Sequence, residues 1–425
     1  MRNLLNISKI NAKALILLLL ALCVLSSCRE PMSQRMVESE MRRCPTAADL
    51  DGMGGKLKWN YTPGLEMLSF LDAAYPNGPS ARSKGPVRDP QGADGTGIAS
   101  PQATALGYVD TWYDAIINED GNVGANYKRS NYNVDHICPA RTLFKLYDLT
   151  GKQKYRAAID SIYQQVKTQP RTGAGAFWHK KIYPYQVWLD GFYMAQPFYA
   201  QYCARYMDPE EAAAGFSDIA KQFGVAYEKC MDPVTGLLRH AWDETRSMFW
   251  ADPATGQSAH AWGRAMGWYL MALVDVLDWM PENHPDREGL ISILRTLLDR
   301  LQEYDDPATG MWYQVLDCPG REGNYIESTC SAMFTYVYLK AAAKGYAPEY
   351  GKYARRLYRK LVKTFIREET DGTITLTECC AVAGLGGKEN RSGDYDYYIH
   401  EKKCENDPKG IGPFIWASLY YENRI

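Results

Sequence analysis

The sequence contains almost none of the patterns that bind a metal ion or a nucleic acid. Its six histidines form no H-E-x-x-H pattern, and no two cysteines have the C-x-x-C spacing of a zinc site. The formal net charge is only −2, so a basic surface for nucleic acid is not expected. We therefore predict no metal, no organic cofactor and no nucleic-acid partner.

The cysteines do not indicate a disulfide framework either. Outside the N-terminal segment nine cysteines remain, an odd number that cannot all pair, and only Cys379 and Cys380 are adjacent. Long alternating runs of apolar and polar residues, which would predict a large sheet, are also scarce. The sequence does have 46% hydrophobic residues, with 31 Tyr and 11 Trp, which suits a large core and a cleft for a flat, hydroxylated ligand.

The N-terminus has the features of a targeting segment. Basic residues precede an apolar run at 14–25, which ends in Leu25-Ser26-Ser27-Cys28. A short apolar run followed by small residues predicts a signal peptide rather than a membrane-spanning helix. The ending resembles a bacterial lipobox, which implies cleavage before Cys28, acylation of its thiol and a lipid anchor in the bacterial cell envelope. An ordinary secretory signal is the alternative. We predict a signal peptide at 1–27, a tether and N-terminal segment at 28–50, and a single domain at 51–425.

The remainder alternates amphipathic helical stretches with turns rich in glycine and aspartate. The turns Asp232–Gly236 and Asp306–Gly310 share a D-P-x-T-G pattern at a separation of 74 residues, and Asp371-Gly372 follows 65 residues later. A repeated unit of this period predicts a closed or stacked helical array, and about six helix pairs would occupy 51–425. We predict an all-α toroid with its loops around a central cleft, and an open peptide-binding solenoid is the alternative. A long loop is predicted at 76–102, and helices at 62–74, 102–118, 138–149, 152–168, 190–206, 210–230, 260–279, 286–303, 327–344, 348–367 and 410–421.

One carboxylate stands out for its surroundings. Asp190 lies in Trp188-Leu189-Asp190-Gly191-Phe192-Tyr193-Met194, where no neighbour in sequence neutralises it. Desolvation disfavours the charged form, so the pKa of this carboxyl is a candidate for a raised value. A carboxyl that is protonated near neutral pH can act as a general acid, and aromatic faces can stack on sugar rings. The structural alternative is a helix start where Asp190 caps and Gly191 permits a sharp bend.

Three further segments place a polar group beside aromatic ones. Asp135 precedes a predicted helix, Lys180 follows Phe177-Trp178-His179, and His240 follows the first repeated turn. Lys180, ten residues before Asp190, could meet an anionic substrate or Asp190 itself, and His240 could donate to a substrate hydroxyl or carboxylate. The structural alternatives are a helix cap for Asp135, a solvated charge for Lys180 and a satisfied core position for His240.

A fourth segment carries an arginine between two tryptophans. Trp262 and Trp268 flank Arg264, whose guanidinium can hold a planar carboxylate in bidentate fashion. Packing of Arg264 on a tryptophan ring by cation–π contact is the alternative. The tyrosine-rich and acidic segment 392–414 is interpreted as structural closure of the ring at the C-terminus, with no part in catalysis.

Together these residues amount to a family resemblance. The chain resembles the unsaturated rhamnogalacturonyl hydrolases of glycoside hydrolase family 105. The matching motifs stand in the family's order and span roughly residues 55–425: F-W-H-K at 177–180, W-L-D-G-F-Y-M-A-Q-P-F at 188–198, H-A-W-D at 240–243, W-G-R-A-M-G-W at 262–268, and Y-Y-I-H-E-K-K-C-E-N-D-P-K-G-I-G-P-F at 397–414. The fold that this resemblance implies is the (α/α)6 barrel with short extended segments in the inter-helix loops.

The resemblance also implies roles for individual residues. Asp190 matches the general acid/base, and Asp135 matches a second acidic position in the cleft. Where the family often has a Gly-Asn pair, this chain has Ala265-Met266, which leaves the identity of the leaving sugar open. The positions predicted to bind substrate are Asp135, Tyr61, His179, Lys180, Trp188, His240, Trp262, Arg264 and Trp268.

The implied activity is removal of a 4,5-unsaturated uronic acid from the non-reducing end of oligosaccharides left by polysaccharide lyases. One Asp would hydrate the C4=C5 enol ether. Two alternatives stay open: a conventional inverting glycosidase that uses two carboxylates, Asp135 and Asp190, and a non-catalytic glycan-binding surface lipoprotein. A desolvated acid at position 190 favours an enzyme, because binding alone does not need one. The expected partners are such an oligosaccharide and, through the lipid anchor, a membrane.

Overall fold

The computed structural model describes residues 30–76 and 101–425, so almost all of the loop predicted at 76–102 lies outside the described residues, as does Cys28. Every helix predicted from the sequence is present, with ends that move by a few residues. None of the helices in the described ranges has the length and apolarity to cross a bilayer. The helices are α1 Met32–Arg43, α2 Tyr61–Ala74, α3 Pro101–Ile116, α4 Ala140–Thr150, α5 Gln153–Thr168, α6 Asp190–Tyr206, α7 Pro209–Cys230, α8 Gly263–Val276, α9 Arg287–Leu301, α10 Ser328–Ala343, α11 Gly351–Phe365, α12 Tyr395–His400 and α13 Pro408–Tyr421.

Six helices form a closed inner ring. In order around the ring these are α2, α4, α6, α8, α10 and α13, and α13 packs back against α2. An outer helix pairs with each inner one: α3, α5, α7, α9, α11 and α1. Every residue of the inner helix α8 is buried, whereas only five of the 15 residues of the outer helix α11 are. An inner helix is apolar all round because both of its sides face protein. The predicted all-α (α/α)6 barrel is confirmed.

The two ends of the described chain form one of the six helix pairs. Helix α1 lies against α13, where the Ser33 backbone N–H and hydroxyl donate to the Glu422 carboxylate at 3.1 and 2.6 Å. Arg424 donates to the Ser33 hydroxyl at 2.9 Å, and Met36 is fully buried. The boundary predicted at residue 51 therefore falls inside the barrel, between its outer helix α1 and its first inner helix α2. From residue 32 onward the predicted tether is a packed helix.

Short extended segments lie in the loops, as predicted. The described residues contain three antiparallel two-stranded sheets: β1 Gln186–Trp188 with β2 Ala241–Asp243, β3 Ile366–Glu368 with β4 Ile374–Leu376, and β5 Cys379–Cys380 with β6 Lys403–Cys404. The first sheet joins the loop that precedes α6 to the loop that precedes α8, with Trp188 opposite Ala241. This pairing fixes the relative position of two loops that are far apart in sequence.

The repeated turns share one geometry. In the turn 232–236 the Thr235 hydroxyl donates to the Asp232 carboxylate at 2.6 Å, and Gly236 has a φ of +70°. The turn 306–310 repeats both features, and so does 252–256, the copy that falls outside the regular spacing. Only glycine adopts this φ without strain, which explains the fixed D-P-x-T-G pattern. All three turns lie in loops that lead into inner helices.

Glu66 of α2 is a buried carboxyl without a hydrogen bond. It is 1% exposed, and neither side-chain oxygen has a partner among the described residues. Burial raises the pKa of Glu66 well above its usual value, and the nearby charges of Glu40 and Asp407 raise it further. The folded protein therefore holds a proton that the unfolded chain releases at a lower pH. The stability that goes with this proton is complete below the unfolded pKa and is lost as the pH rises through the folded pKa.

We expect Glu66→Gln to remove the loss of stability at higher pH, because a neutral amide has no proton to release. The variant should unfold at the same or a lower temperature than the wild type near pH 4, and at a higher temperature at pH 8. A difference of about 1–3 kcal/mol at pH 8 would match the cost of a buried unpaired polar group. Thermal unfolding across this pH range measures the effect. The exposed Glu282→Gln is the control, and an equal pH dependence in the two variants would contradict the prediction.

Candidate active site

The predicted site residues gather at one end of the barrel, where the inner helices begin. Tyr61 and Asp190 are the first residues of α2 and α6, and Trp262 directly precedes α8. Asp135 lies in a 3₁₀ turn just before α4. Because every inner helix starts at the same end, residues from distant parts of the sequence meet there.

Backbone hydrogen bonds hold the loops of this end side by side. The Leu189 N–H donates to the His240 carbonyl at 3.1 Å, and the His240 N–H donates to the His260 carbonyl at 3.1 Å. Further round the ring, the Gly263 N–H donates to the Gln314 carbonyl at 3.0 Å. These bonds link the loops before α6, α8 and α10, and they set the spacing between the side chains that these loops carry.

Asp190 and His240 face each other at this end of the barrel. Oδ2 of Asp190 lies 3.1 Å from Nε2 of His240, with the Asp190 side chain 16% exposed and the His240 side chain fully buried. Both atoms are buried, their angle falls short of a hydrogen bond, and neither has another partner among the described residues. As the first residue of α6, Asp190 also lies at the positive end of the helix dipole. A carboxyl in this position can exchange a proton with a ligand on its exposed side.

Asp135 forms an ion pair with Lys180. Its Oδ2 lies 2.6 Å from Nζ of Lys180, and its Oδ1 lies 3.5 Å from Nε2 of His179. Burial alone would raise the pKa of Asp135, but Lys180 and His179 outweigh burial and keep this pKa below its usual value. Burial lowers the pKa of His179 to about 4 despite the opposing charge of Asp135, so the imidazole is neutral near pH 7. Lys180 therefore meets the second carboxylate of the site, and Asp135 is ionised.

The predicted tryptophans are largely covered by protein. Trp188 stacks on His179 with ring centroids 4.8 Å apart and on Tyr183 at 5.1 Å, and it is 7% exposed. Trp262 and Trp268 are 2% and 1% exposed. Rings at this depth hold the polar side chains in place. Their contact with a substrate stays a prediction, since stacking on a sugar needs an open ring face.

Tyr61 belongs to the same group of residues. It is partly exposed, and its ring meets the edge of Trp268 at 6.1 Å between centroids. Burial of the hydroxyl raises the pKa of Tyr61 well above its usual value, and the charges of Asp135 and Asp190 raise it further. The phenol therefore keeps its proton and can serve as a hydrogen-bond donor near both carboxylates.

Arg264 is more deeply buried than expected for a side chain that binds a substrate carboxylate directly. It is 1% exposed, donates to the backbone carbonyls of Cys380 and Ala381, and lies 4.0 Å from Oε1 of Glu327. Its guanidinium also lies 5.1 Å from the Trp262 ring centroid, so the cation–π contact is present. These partners take up a donor on each Nη atom, while Nε has no hydrogen-bond partner among the described residues, and contact with a substrate carboxylate stays a prediction.

Comparison with known proteins assigns the family. The model of Glycosyl Hydrolase Family 88 matches residues 32–425. A Clostridium acetobutylicum ATCC 824 glycoside hydrolase from family 105 is 39% identical over 93% of this chain and 100% of its own, with a TM-score of 0.81. The chain is a glycoside hydrolase of families 88 and 105. The predictions of family and of an enzyme are thereby confirmed.

Curated relatives match about half of this glycoside hydrolase. A 24.9 kDa protein in the picA locus of Rhizobium radiobacter is 38% identical over 231 residues, which are 53% of this chain and 96% of that protein. The unsaturated rhamnogalacturonyl hydrolase YesR of Bacillus subtilis strain 168 is 28% identical over 238 residues, which are 53% of this chain and 61% of that protein.

Three residues of the site were missed by the sequence analysis. Tyr398 approaches His240, Glu327 approaches Arg264, and Gln314 accepts a hydrogen bond from the Trp262 indole at 3.1 Å. Tyr398 lies in a segment that had been interpreted as ring closure alone. The sequence feature that could have identified Tyr398 is its place in the motif at 397–414. Glu327 and Gln314 lie outside the five matching motifs.

The described part of this glycoside hydrolase contains one group of side chains with the spacing of a metal site. Ligand atoms of His260, Asp317 and Cys318 lie within 4.8 Å of one another. However, Nη1 of Arg239 lies 2.9 Å from Oδ2 of Asp317, the same oxygen that lies 2.9 Å from Nδ1 of His260. A cation would have to displace Arg239, so this group is interpreted as an ion-pair network.

Gly191, the residue after the central carboxyl, is tightly enclosed. A Cβ at this position would lie 3.1 Å from Nδ1 of His179 and 3.5 Å from Cγ2 of Val134. His179 is held by its stack on Trp188, so we expect Gly191→Ala to displace the start of α6 and with it Asp190. A misplacement approaching 1 Å lowers kcat by about 10-fold or more. Steady-state kinetics and the melting temperature measure the two effects.

The matched control is Gly224→Ala in α7, where a Cβ would meet no atom within 4 Å. Alanine is the better helix former by about 1 kcal/mol, so neither variant should lose much stability through its backbone. Wild-type kcat in Gly191→Ala would show that the site tolerates the shift.

Proposed function

We propose that this glycoside hydrolase removes a 4,5-unsaturated uronic acid from the non-reducing end of lyase-generated oligosaccharides of the pectin or rhamnogalacturonan type. The Bacillus subtilis relative carries the name of such an enzyme. The observation that carries the proposal is the state of the two carboxylates. Asp135 is ionised in an ion pair with Lys180, whereas Asp190 has no cationic partner within 4 Å among the described residues other than the imidazole of His240. One available carboxyl suits a reaction that needs one acid/base.

The reaction begins with a proton from Asp190. The proton adds to C4 of the unsaturated ring, and the electron pair of the C4=C5 bond forms the new C–H bond. Positive charge develops on C5 and is shared by the ring oxygen. The Asp190 carboxylate then takes a proton from a water molecule as that water adds to C5, which restores the acid. The hemiketal at C5 opens to a ketone, and the hemiacetal at C1 releases the leaving sugar as an alcohol. One water is consumed, and the bond to the leaving sugar breaks.

Lys180 is the accessible cation for the uronic acid carboxylate. Its side chain is 23% exposed, whereas that of Arg264 is 2% exposed and already bound to backbone carbonyls. A substrate carboxylate that approached Lys180 would share the ammonium with Asp135. This arrangement would place C4 and C5 of the sugar beside Asp190, whose charge also acts on Lys180.

The runner-up is a conventional inverting glycosidase. Asp190 would protonate the leaving oxygen, and ionised Asp135 would activate water on the opposite face of the sugar. That mechanism acts on saturated sugars as well, which separates it from hydration of an enol ether.

The ultraviolet absorbance of the conjugated ene-carboxylate tests the proposal. We expect the band of a lyase-generated rhamnogalacturonan disaccharide to disappear when enzyme is added, with release of one free rhamnose per molecule. Saturated oligosaccharides of the same composition should stay intact. Release of reducing ends from the saturated compounds would instead favour the two-carboxylate mechanism. A persistent band with no release from either substrate would reject both.

We further propose that the mature protein is lipid-anchored through Cys28 in the bacterial cell envelope, on the periplasmic or the outer-membrane side. The support is the lipobox-like Leu25-Ser26-Ser27-Cys28 after a short apolar run. In cells that express the full chain, we expect metabolic labelling with a fatty acid and partition into the detergent phase. Cys28→Ser should abolish both. A mature N-terminus elsewhere, found by mass spectrometry, would contradict the anchor.

A further inference from the structure

Tyr398 is the third member of a line of side chains that ends at Asp190. The Tyr398 hydroxyl lies 2.8 Å from Nδ1 of His240, and Nε2 of the same imidazole lies 3.1 Å from Oδ2 of Asp190. Tyr398 and His240 are both fully buried. Bulk water therefore does not reach either group, and the protein alone determines which atoms carry protons.

The environment of the Tyr398 hydroxyl selects one tautomer of His240. Burial raises the pKa of Tyr398 well above its usual value, with nearby acidic groups adding to the effect, so the phenol keeps its proton. A buried hydroxyl has to donate that proton to an acceptor. Within residues 30–76 and 101–425, Nδ1 of His240 is the one hydrogen-bond partner of the hydroxyl. The hydroxyl thus donates to Nδ1, and an imidazole that accepts at Nδ1 carries its proton on Nε2.

We infer that Tyr398 is a positioning residue that holds His240 as the Nε2–H tautomer, so that a donor faces Oδ2 of Asp190 and Oδ1 is left to exchange the proton with the substrate. Nε2 and Oδ2 are both buried without another partner among the described residues. Their angle falls short of a hydrogen bond in the structure, and contacts of this kind commonly tighten when a substrate binds.

The proton balance of this arrangement is simple, and this part rests on the proposed function. Asp190 gives the proton on Oδ1 to C4 of the sugar, and the Nε2–H of His240 stabilises the carboxylate that remains. The attacking water later returns a proton to Oδ1. His240 keeps one proton throughout and Tyr398 keeps its own, so neither residue is consumed or ionised. Tyr398 acts on the reaction only through His240.

The neighbouring tyrosine provides a matched control. The Tyr397 hydroxyl accepts a hydrogen bond from the Gly384 N–H at 2.9 Å, and its ring centroid lies 5.2 Å from that of Tyr398. Tyr397→Phe therefore removes the same atom one residue away, without touching His240. Melting temperatures of both variants establish that each one is folded.

Nitrogen NMR of the histidine side chains in the full-length protein tests the tautomer without any substrate. The chain has six histidines, and the signal of His240 is the one that disappears in His240→Gln. We expect a protonated Nε2 and an unprotonated Nδ1 in the wild type and in Tyr397→Phe. In Tyr398→Phe both nitrogens should move toward a mixture of tautomers. A protonated Nδ1 in the wild type, or no change in Tyr398→Phe, would overturn the inference.

Kinetics then tests whether the tautomer matters for turnover. We expect Tyr398→Phe to lower kcat about 10- to 100-fold, as loss of a residue that orients another does, with KM within about twofold. In a His240→Gln background the same change should add almost nothing, because its effect passes through His240. An equal loss with and without His240 would overturn the positioning role. Absence of activity on the unsaturated disaccharide would reject the proposed function instead, while the NMR result would still report the tautomer.

Discussion

Asp190→Asn is expected to abolish turnover while leaving substrate binding almost intact. The amide has the size and shape of the carboxyl but cannot give a proton to C4 or take one from water. Loss of a general acid/base typically costs 10²- to 10⁴-fold in rate. Because Asp190 serves in both roles in the proposed reaction, we expect a loss of at least about 10⁴-fold. The decline of the ene-carboxylate absorbance measures kcat, and isothermal titration calorimetry with the unsaturated disaccharide measures binding.

A second variant separates chemistry from shape. Asp190→Glu keeps the acid but moves it by one methylene, so its turnover should be low and still exceed that of Asp190→Asn. The amide variant does not remove the ionised Asp135 or its ion pair with Lys180. A kcat for Asp190→Asn near that of the wild type would show that another group supplies the proton.

Asp275→Ala is expected to cause the largest loss of stability. Asp275 lies near the end of α8, at the opposite end of the barrel from Asp190. Its carboxylate lies 2.8 Å from Nζ of Lys340 and 2.9 Å from Nη2 of Arg141, and its side chain is 5% exposed. The Tyr336 hydroxyl also donates to it at 2.6 Å. Removing the carboxylate leaves two buried cations without it, which costs about 3–5 kcal/mol in the free energy of unfolding.

Chemical denaturation at pH 7 measures this loss. The control is Asp278→Ala, because Asp278 is 30% exposed and lies 2.5 Å from the same Lys340, which would keep Asp275 as its partner. We expect the control to lose about 1 kcal/mol or less, as for a partly exposed ion pair. A loss below about 1 kcal/mol in Asp275→Ala would contradict the prediction. The folded fraction of either variant should keep wild-type kcat, since both residues lie far from Asp190.

The pH dependence of this network has a defined sign. Burial would raise the pKa of Asp275, but Lys340 and Arg141 outweigh burial and keep it below its usual value. The stability from this group is therefore present above the unfolded pKa, near 4, and is lost as the pH falls through the folded pKa. Wild type and Asp275→Ala should accordingly approach each other in stability at acid pH.

The end of the barrel that holds Asp275 also contains a cavity, but its charged lining argues against a catalytic role. Asp275, Arg141 and Lys340 line a cavity of about 270 Å³ at their end of the barrel. These three groups already form ion pairs with one another, so their charges stabilise the fold and are not available to a substrate. At the other end, Asp190 has no cationic partner in the described part of the chain beyond the imidazole of His240. We therefore assign the chemistry to that end.

The barrel helices could be predicted because each one carries its own signal. The outer helices α5, α7, α9 and α11 repeat apolar residues on one face, the inner helices α8 and α10 are buried on nearly every side, and turns with glycine or proline separate most neighbouring helices. Helix α1 was assigned to the tether and N-terminal segment, and its sequence, MSQRMVESEMRR, has only four apolar residues. Its place in the barrel depends on α13, which lies more than 360 residues away in sequence. A contact between helices this far apart in sequence produces no local sequence pattern from which it could be predicted.

Most of the predicted site residues could be named from sequence because they stand in four of the five motifs, whereas Asp135 and Tyr61 stand outside all five. The residues that these side chains contact in the folded structure could not be predicted from the sequence. Lys180 stands ten residues before Asp190 yet forms its ion pair with Asp135, and the Val134 N–H donates to the His179 carbonyl at 3.2 Å between the same two segments. The sequence does not show whether the rings of Trp188, Trp262 and Trp268 are exposed to a ligand or buried beneath the site. The contact of Tyr398 with His240 joins residues 158 positions apart.

The sequence by itself determined the barrel helices other than α1, the turns and the absence of a metal-binding pattern, and it predicted Asp190 as the reacting carboxyl. Each of these depends on backbone preferences, on charge and on neighbours within a few residues. The tertiary structure decided which charges are paired, how deeply the aromatic rings lie, and which nitrogen of His240 faces Asp190. Those properties depend on distance and solvent exposure between loops that meet only when the ring closes, because electrostatic interactions and burial act through space rather than along the chain.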